Sequence, residues 1–302
     1  MKFEFISAIC TPLDDQENLD VAGYEKHVAA QWENDASGIL FGGTMGLMQL
    51  LKDSTYRDLV TRGATLSQGK GEILVGVGDT SYSRTLQKIE AVSSLPIDGV
   101  VVVTPWFFPF SEQEICDYFR ALAKASKHPL YIYYLPKLTK VELAVETILK
   151  LAQEANIRGI KSSTTTDWTM QLFERVPPSF RVIVSAPLDT CRLARMGVSE
   201  FLDGVNAVFP RLSKRFLGAL RKEDWDEAQE CEQVFTRCLD LLRAQYPLFG
   251  AVSAILNSQG ISGKCNVSPL IALAPRAAEE LLAKPEVKLA IAGRLDRDSV
   301  PA

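Results

Sequence analysis

Eight short apolar runs, recurring about every 20 to 35 residues and each followed by a turn and a longer stretch of helical periodicity, constrain this chain more than any other feature. They are Phe3–Cys10, Gly38–Phe41, Glu72–Val77, Gly99–Thr104, Pro129–Tyr134, Ile157–Lys161, Arg181–Ser185 and Phe201–Val208. Several are apolar throughout rather than alternating, as strands covered on both faces are. Between them lie amphipathic stretches at Asp20–Trp32, Thr55–Ser67, Ser81–Leu95, Glu112–Ser126, Val141–Glu154, Asp167–Val176 and Asp189–Met196. Ser111 and Glu114 are spaced as a capping box, and Ser81 and Asp167 are suited to cap helices. Repeated βα units of this kind form a parallel sheet, and eight of them close on themselves. The expected fold is α/β, a TIM (β/α)8 barrel over residues 1–225. A C-terminal helical extension over 226–302 follows, with helices at Asp226–Gln245, around Leu248–Leu256, Ala274–Leu282 and Glu286–Ala292. No linker rich in Pro, Gly or Ser precedes these helices, so they are expected to pack on the barrel.

Composition narrows the function classes. A net charge of −4 with no long run of one sign predicts no nucleic-acid partner and no anionic membrane surface. The start of the chain lacks the basic and apolar regions of a signal peptide, and no segment approaches the ~20 apolar residues of a membrane span, so a cytoplasmic location is expected. Six scattered cysteines include no C-x-x-C pair and read as free thiols. With only His27 and His128 in the chain, no metal is expected. The lone Gly76-Val77-Gly78 lacks the third glycine of a dinucleotide loop, and no P-loop or G-x-S-x-G elbow exists, so no cofactor is expected either.

Reactive groups of such barrels sit at the carboxyl ends of the strands. Lys161 closes the sixth run, between apolar residues and a polar Ser-Thr stretch; a lysine there loses hydration, which favours the neutral amine that attacks a carbonyl to form an imine. In the fifth run Tyr131 and Tyr133 share one face and Tyr134 points the other way; Tyr133, nearest the strand end, is placed to relay a proton. After the second run, Gly42-Gly43-Thr44-Met45-Gly46 offers backbone N–H groups and the Thr44 hydroxyl to an anion such as a carboxylate.

Taken with Thr11-Pro12-Leu13, Gly76-Val77-Gly78, Thr104-Pro105, Tyr133 followed by Pro136, Gly159-Ile160-Lys161 and Asp203-Gly204-Val205, these elements make a chain that resembles the dihydrodipicolinate synthase and N-acetylneuraminate lyase family along nearly its whole length. The resemblance implies a class I Schiff-base lyase and a homotetramer. Lys161 would hold pyruvate or another 2-oxo acid as an imine, Tyr133 would shuttle protons, and Gly43, Thr44 and Met45 would bind the substrate carboxylate. Asn206 falls where strand eight contributes to substrate binding.

The chain also departs from the family pattern. Met45 and Leu47 replace a threonine and a glutamate of the loop, and Phe107 replaces a tyrosine that a neighbouring subunit contributes to the proton relay. Leu138 stands where a carboxylate-binding arginine is found in dihydrodipicolinate synthases, Ser162 where an acidic residue often follows the lysine, and Asn206-Ala207 replaces an Ile-Ser pair. Leucine cannot pair with a carboxylate, so dihydrodipicolinate synthase activity itself is disfavoured. The expected activity is aldol cleavage or formation on a 2-oxo acid with an acceptor less charged than aspartate semialdehyde. Alternatives are a sugar-acid dehydratase or an aromatic hydratase-aldolase, suggested by Trp106, Phe107 and Phe108, and a catalytically silent ligand-binding barrel.

Overall fold

The computed structural model describes residues 2–299. Eight parallel strands, β1 (Glu4–Ala8), β2 (Gly38–Phe41), β3 (Glu72–Gly76), β4 (Gly99–Val103), β5 (Leu130–Tyr134), β6 (Ile157–Ser162), β7 (Arg181–Val184) and β8 (Glu200–Asp203), pair in sequence order, and β8 closes on β1. This is the TIM barrel expected from the apolar runs, followed by C-terminal helices. The strands form because β-branched and aromatic residues such as Val100–Val103 and Tyr131–Tyr134 fit a sheet covered on both sides.

Alternation along each strand divides the core in two. Ile6, Ala8, Leu40, Leu74, Val101, Val103, Tyr131, Tyr133, Ile183 and Leu202 fill the barrel interior. Their neighbours, including Phe5, Ile39, Val75, Ile132, Ile160 and Phe201, face the helices. One irregularity bears on the site. Leu130 pairs with Ile157 but Tyr131 with Gly159, so Arg158 is an extra residue in β6 without a partner on β5.

The Val21–Glu33, Asp53–Ser67, Tyr82–Val92 and Glu112–Ala125 helices match their predicted segments closely. The Ser111–Glu114 capping box forms, and Ser81 accepts from the Arg84 N–H. Asp167 does not cap its helix; the Thr165 hydroxyl does, accepting from Trp168 N–H, and Asp167 lies within the first turn. The segment expected as one helix over Val141–Glu154 holds only a shorter helix at Val145–Leu151, and a separate short turn of helix at Pro136–Thr139 precedes it. The eighth strand is shorter than expected. Asp203 accepts a hydrogen bond from Val205 N–H and so caps a new helix, Gly204–Val208, where the sequence suggested continuing strand. A helix not assigned from the sequence, Pro210–Lys222, completes the eighth unit and buries Leu212, Phe216, Leu217 and Leu220. The extension begins with Trp225–Gln245, which packs on that helix, and continues with Leu248–Ser258, Pro275–Ala283 and Pro285–Ala292. No helix among the described residues is long and apolar enough to cross a membrane.

The amino-terminal end of the barrel is closed by charge. Arg181, at the start of β7, donates through Nε to Glu200 at 2.8 Å, through Nη2 to Glu72 at 3.0 Å, and through Nη1 to the Tyr131 hydroxyl at 2.9 Å. The two carboxylates outweigh the effect of burial and push the guanidinium pKa further up.

Helix and barrel meet closely at Gly63. A Cβ there would lie 2.5 Å from the Tyr24 hydroxyl and 2.7 Å from the Phe41 ring, and Tyr24 is fully buried with its hydroxyl bonded to the Leu59 carbonyl. The better helix propensity of alanine, about 1 kcal/mol, is smaller than the overpacking cost of up to about 3 kcal/mol. Gly63→Ala is therefore expected to lower the free energy of unfolding by about 1–2 kcal/mol in urea titration; a more stable variant would refute this packing account.

Candidate active site

The extra residue in β6 sets the site. Counting by twos from the outward-facing Ile157 would place Lys161 outward as well, but the register shift reverses the phase. Gly159 then lies on the inner face against the Tyr131 ring, Ile160 faces out, and Lys161 pairs with the inward Tyr133. The Lys161 side chain is 4% exposed, and its ammonium nitrogen stands 4.0 Å from the centroid of the Tyr133 ring. Among the described residues no carboxylate forms an ion pair with it, so the ring face is the group that receives the amine.

Tyr133 links this amine to the glycine-rich loop. Its hydroxyl accepts a hydrogen bond from the Thr44 hydroxyl at 3.4 Å, a long contact. The loop is folded tightly: Gly42 adopts φ +62°, the Leu47 N–H donates to the Thr44 carbonyl at 3.1 Å, and the Met48 N–H donates to the Gly43 carbonyl at 3.4 Å. Gly43 lies directly over Leu40, where a Cβ would be 2.9 Å from the leucine side chain. Among the described residues the N–H groups of Thr44 and Met45 have no partner, which leaves two donors beside the Thr44 hydroxyl. Thr11, absent from the sequence-based site, holds the loop by donating from its hydroxyl to the Gly46 carbonyl at 2.7 Å. The Met45 side chain rests on Gly204, where any Cβ would collide with it.

Beside Thr44 a cavity of about 180 Å³ opens, lined by Thr44, Gln49, Val103, Trp106, Leu135, Leu138 and Thr139. A cavity of this size has room for a small acid. No lining residue is charged. Gln49, Leu135 and Thr139 were not anticipated; each follows a strand end, the one positional signal available for them. Leu138 is present at the rim and 61% exposed, while Phe107 and Phe108 point away from the chain, forming an edge-to-face pair at 5.1 Å. Tyr131 and Tyr134 take no part: Tyr131 belongs to the Arg181 cluster, and the Tyr134 hydroxyl bonds to Leu143 outside the barrel.

Asn206 is not brought to this constellation. Because the chain turns helical after Asp203, its side chain accepts from the Ser213 hydroxyl at 3.2 Å and lines a crevice with Phe5, Ser7 and Gln31 on the outer face of β1. A strand to Val208 would have given it an inward phase; the helical period removes it.

The relatives of the chain agree with this architecture. Residues 2–285 match the Dihydrodipicolinate synthetase family. The chain belongs to that family. Members of the dihydrodipicolinate synthetase family are lyases of the class I aldolase type, and the chain is accordingly an enzyme of that class. A 4-hydroxy-tetrahydrodipicolinate synthase of Pediococcus pentosaceus is 28% identical over 262 residues, 86% of this chain and 87% of its own length. One from Lactobacillus acidophilus is 25% identical over 297 residues, 98% of this chain and 92% of its own length. Among solved structures, dihydrodipicolinate synthase of Aquifex aeolicus superposes with a TM-score of 0.86 at 22% identity, covering 98% of this chain and all of its own. A variant of 2-keto-3-deoxygluconate aldolase from Sulfolobus solfataricus gives 0.84 at 18% identity, covering 97% and 99%. At these identities the structures speak for the shared fold alone.

Proposed function

We propose that the chain is a Schiff-base-forming lyase acting on pyruvate or another 2-oxo acid, with the imine on Lys161. The observation that carries the reading is the line of groups Lys161, Tyr133 and Thr44, an inward amine against a phenol ring whose hydroxyl is joined to a loop with free amides. The Lys161 amine attacks C2 of the oxo acid, and the Tyr133 hydroxyl delivers the proton with which the carbinolamine oxygen leaves as water. The iminium then serves as the electron sink, so C3 loses a proton to give an enamine that adds to an aldehyde; the reverse sequence cleaves an aldol. Gly43, Thr44 and the Met45 N–H hold the carboxylate at the loop.

The uncharged cavity lining, with Leu138 at its rim, supports an acceptor without a carboxylate, and this reading differs from the activity named for the curated relatives. Trp106 in the same lining favours an aromatic hydratase-aldolase as the second reading, to be separated by assaying pyruvate release from aromatic and aliphatic aldols. The 84% exposed Phe107, held at φ +85°, and the exposed Phe108 suit burial against a second copy of the chain, in keeping with a homotetramer. Six free cysteines suit a reducing, cytoplasmic location.

Borohydride reduction in the presence of pyruvate tests the reading: the label is expected on Lys161 by mass spectrometry, and an unlabelled Lys161 would refute it. Tyr133→Phe is expected to slow turnover by roughly 10² to 10⁴ while the label still forms, more slowly. An unchanged rate would place the proton shuttle elsewhere.

A further inference from the structure

One short segment builds much of the wall of the cavity beside Thr44. Leu135, Leu138 and Thr139 are three of its seven lining residues, and they lie in the turn of helix at Pro136–Thr139 or directly before it. A single turn does not hold its shape and place unaided. Its amino end has no side-chain cap, and it stops at Lys140, a non-glycine residue at φ +59°. Its backbone bonds are internal: the Leu138 and Thr139 N–H groups donate to the Leu135 carbonyl, both at 3.1 Å, and Lys140 N–H donates to the Pro136 carbonyl at 2.9 Å. Bonds of this kind shape the turn without fastening it to the barrel.

Among the described residues one hydrogen bond joins the turn to another element. The hydroxyl of Thr104, a fully buried residue directly after β4, donates to the Thr139 hydroxyl at 3.1 Å. Thr139 in turn donates to the Leu135 carbonyl at 3.1 Å and accepts from Val141 N–H at 3.4 Å. A hydroxyl has one proton and two lone pairs, so Thr139 is spent within the fold and keeps nothing for a substrate. Thr104 itself lines no part of the cavity.

We propose that Thr104 is a positioning residue for the second substrate: through Thr139 it fixes the wall against which the aldehyde acceptor binds, without touching the acceptor. This inference rests on the lyase reading above, in which the cavity takes the acceptor. With the bond in place, Leu135 and Leu138 present a fixed apolar face. Without it the turn is free to move as a unit, and an acceptor must order the turn as it binds, which weakens its binding. The oxo acid, joined to Lys161 and held by the Gly43–Met45 loop, does not depend on the turn. Loss of the tether therefore falls on one substrate and spares the other.

The test compares Thr104→Val, which keeps the shape and removes the hydroxyl, with Thr104→Ser, which keeps the hydroxyl. Valine strands no buried partner, because Thr139 retains its bonds to Leu135 and Val141. With pyruvate and propanal as substrates, Thr104→Val is expected to raise the KM for propanal roughly three- to tenfold, the worth of one hydrogen bond. Its kcat, its KM for pyruvate and its rate of borohydride labelling should stay within about twofold of the parent. Thr104→Ser should restore the propanal KM. An unchanged propanal KM in the valine variant, or an equal loss in pyruvate labelling, would overturn the assignment.

A second measurement needs no turnover. Hydrogen exchange at residues 138–141 is expected to quicken in Thr104→Val and to return toward the parent rate in Thr104→Ser, with the Val21–Glu33 helix unaltered. Unchanged exchange at the turn, or equal quickening in both regions, would overturn the tether. A parent protein that labels with pyruvate but consumes no propanal overturns the role in acceptor binding alone. One that never labels overturns the lyase reading as well, and the exchange result still decides the tether.

Discussion

Replacing Lys161 with alanine is expected to remove pyruvate labelling by borohydride altogether and to lower turnover by about 10⁴ or more, because among the described residues Lys161 is the only buried lysine and no other is placed to take over the covalent step. The fold should survive. The amine forms no ion pair among the described residues, so its loss strands no buried charge, and the change amounts to removal of an alkyl stem from the open end of the barrel. The decisive comparison is Lys161→Arg, which retains positive charge and length but supplies no nucleophile at neutral pH. It should be as inactive as the alanine variant. Turnover retained by either protein, with correct folding verified by circular dichroism, would locate the chemistry elsewhere.

The second large effect lies at the opposite end of the barrel. Arg181→Met is expected to reduce the free energy of unfolding by about 3–5 kcal/mol, since it leaves the Glu72 and Glu200 carboxylates facing each other without a counterion. All three side chains are less than a third exposed, so solvent screening does not erase the penalty. The sign of the mechanism is tested by adding Glu72→Gln and Glu200→Gln to the methionine variant. If stranded charge is the cause, the triple variant regains most of the lost stability in denaturant titration at unchanged m. A triple variant as weak as the single one would mean that shape, not charge, closes this end. The Lys161 site is remote from the cluster, and pyruvate labelling at low temperature should be preserved.

Much of the scaffold was legible because burial on both faces leaves its mark in composition. Val100–Val103 and Tyr131–Tyr134 can hardly be other than interior strands, and Ser111 with Glu114 announces its helix. The ends were harder to read. Phe201–Val208 is apolar enough to extend a strand, and only the Asp203 side chain bonded to Val205 N–H converts it to helix and carries Asn206 to the outer layer. The Pro210–Lys222 helix has its apolar residues at helical spacing, but it follows this misassigned end directly and is thereby obscured. In the site, lysine, phenol and loop were recognisable as types at strand ends. Gln49, Leu135 and Thr139 were not, since a cavity wall assembled from three loops has no periodicity of its own.

Arg158 touches no reactant, yet the side of the wall on which the amine emerges depends on its standing outside the pairing with β5. Were Arg158 instead to pair with Tyr131, every later residue of β6 would slip by one, and Lys161 would turn toward the helices and leave Ile160 inside. In a cylinder of alternating side chains, parity is therefore inherited along with identity: a lineage can preserve every reactive residue and still lose the chemistry by altering how they pair.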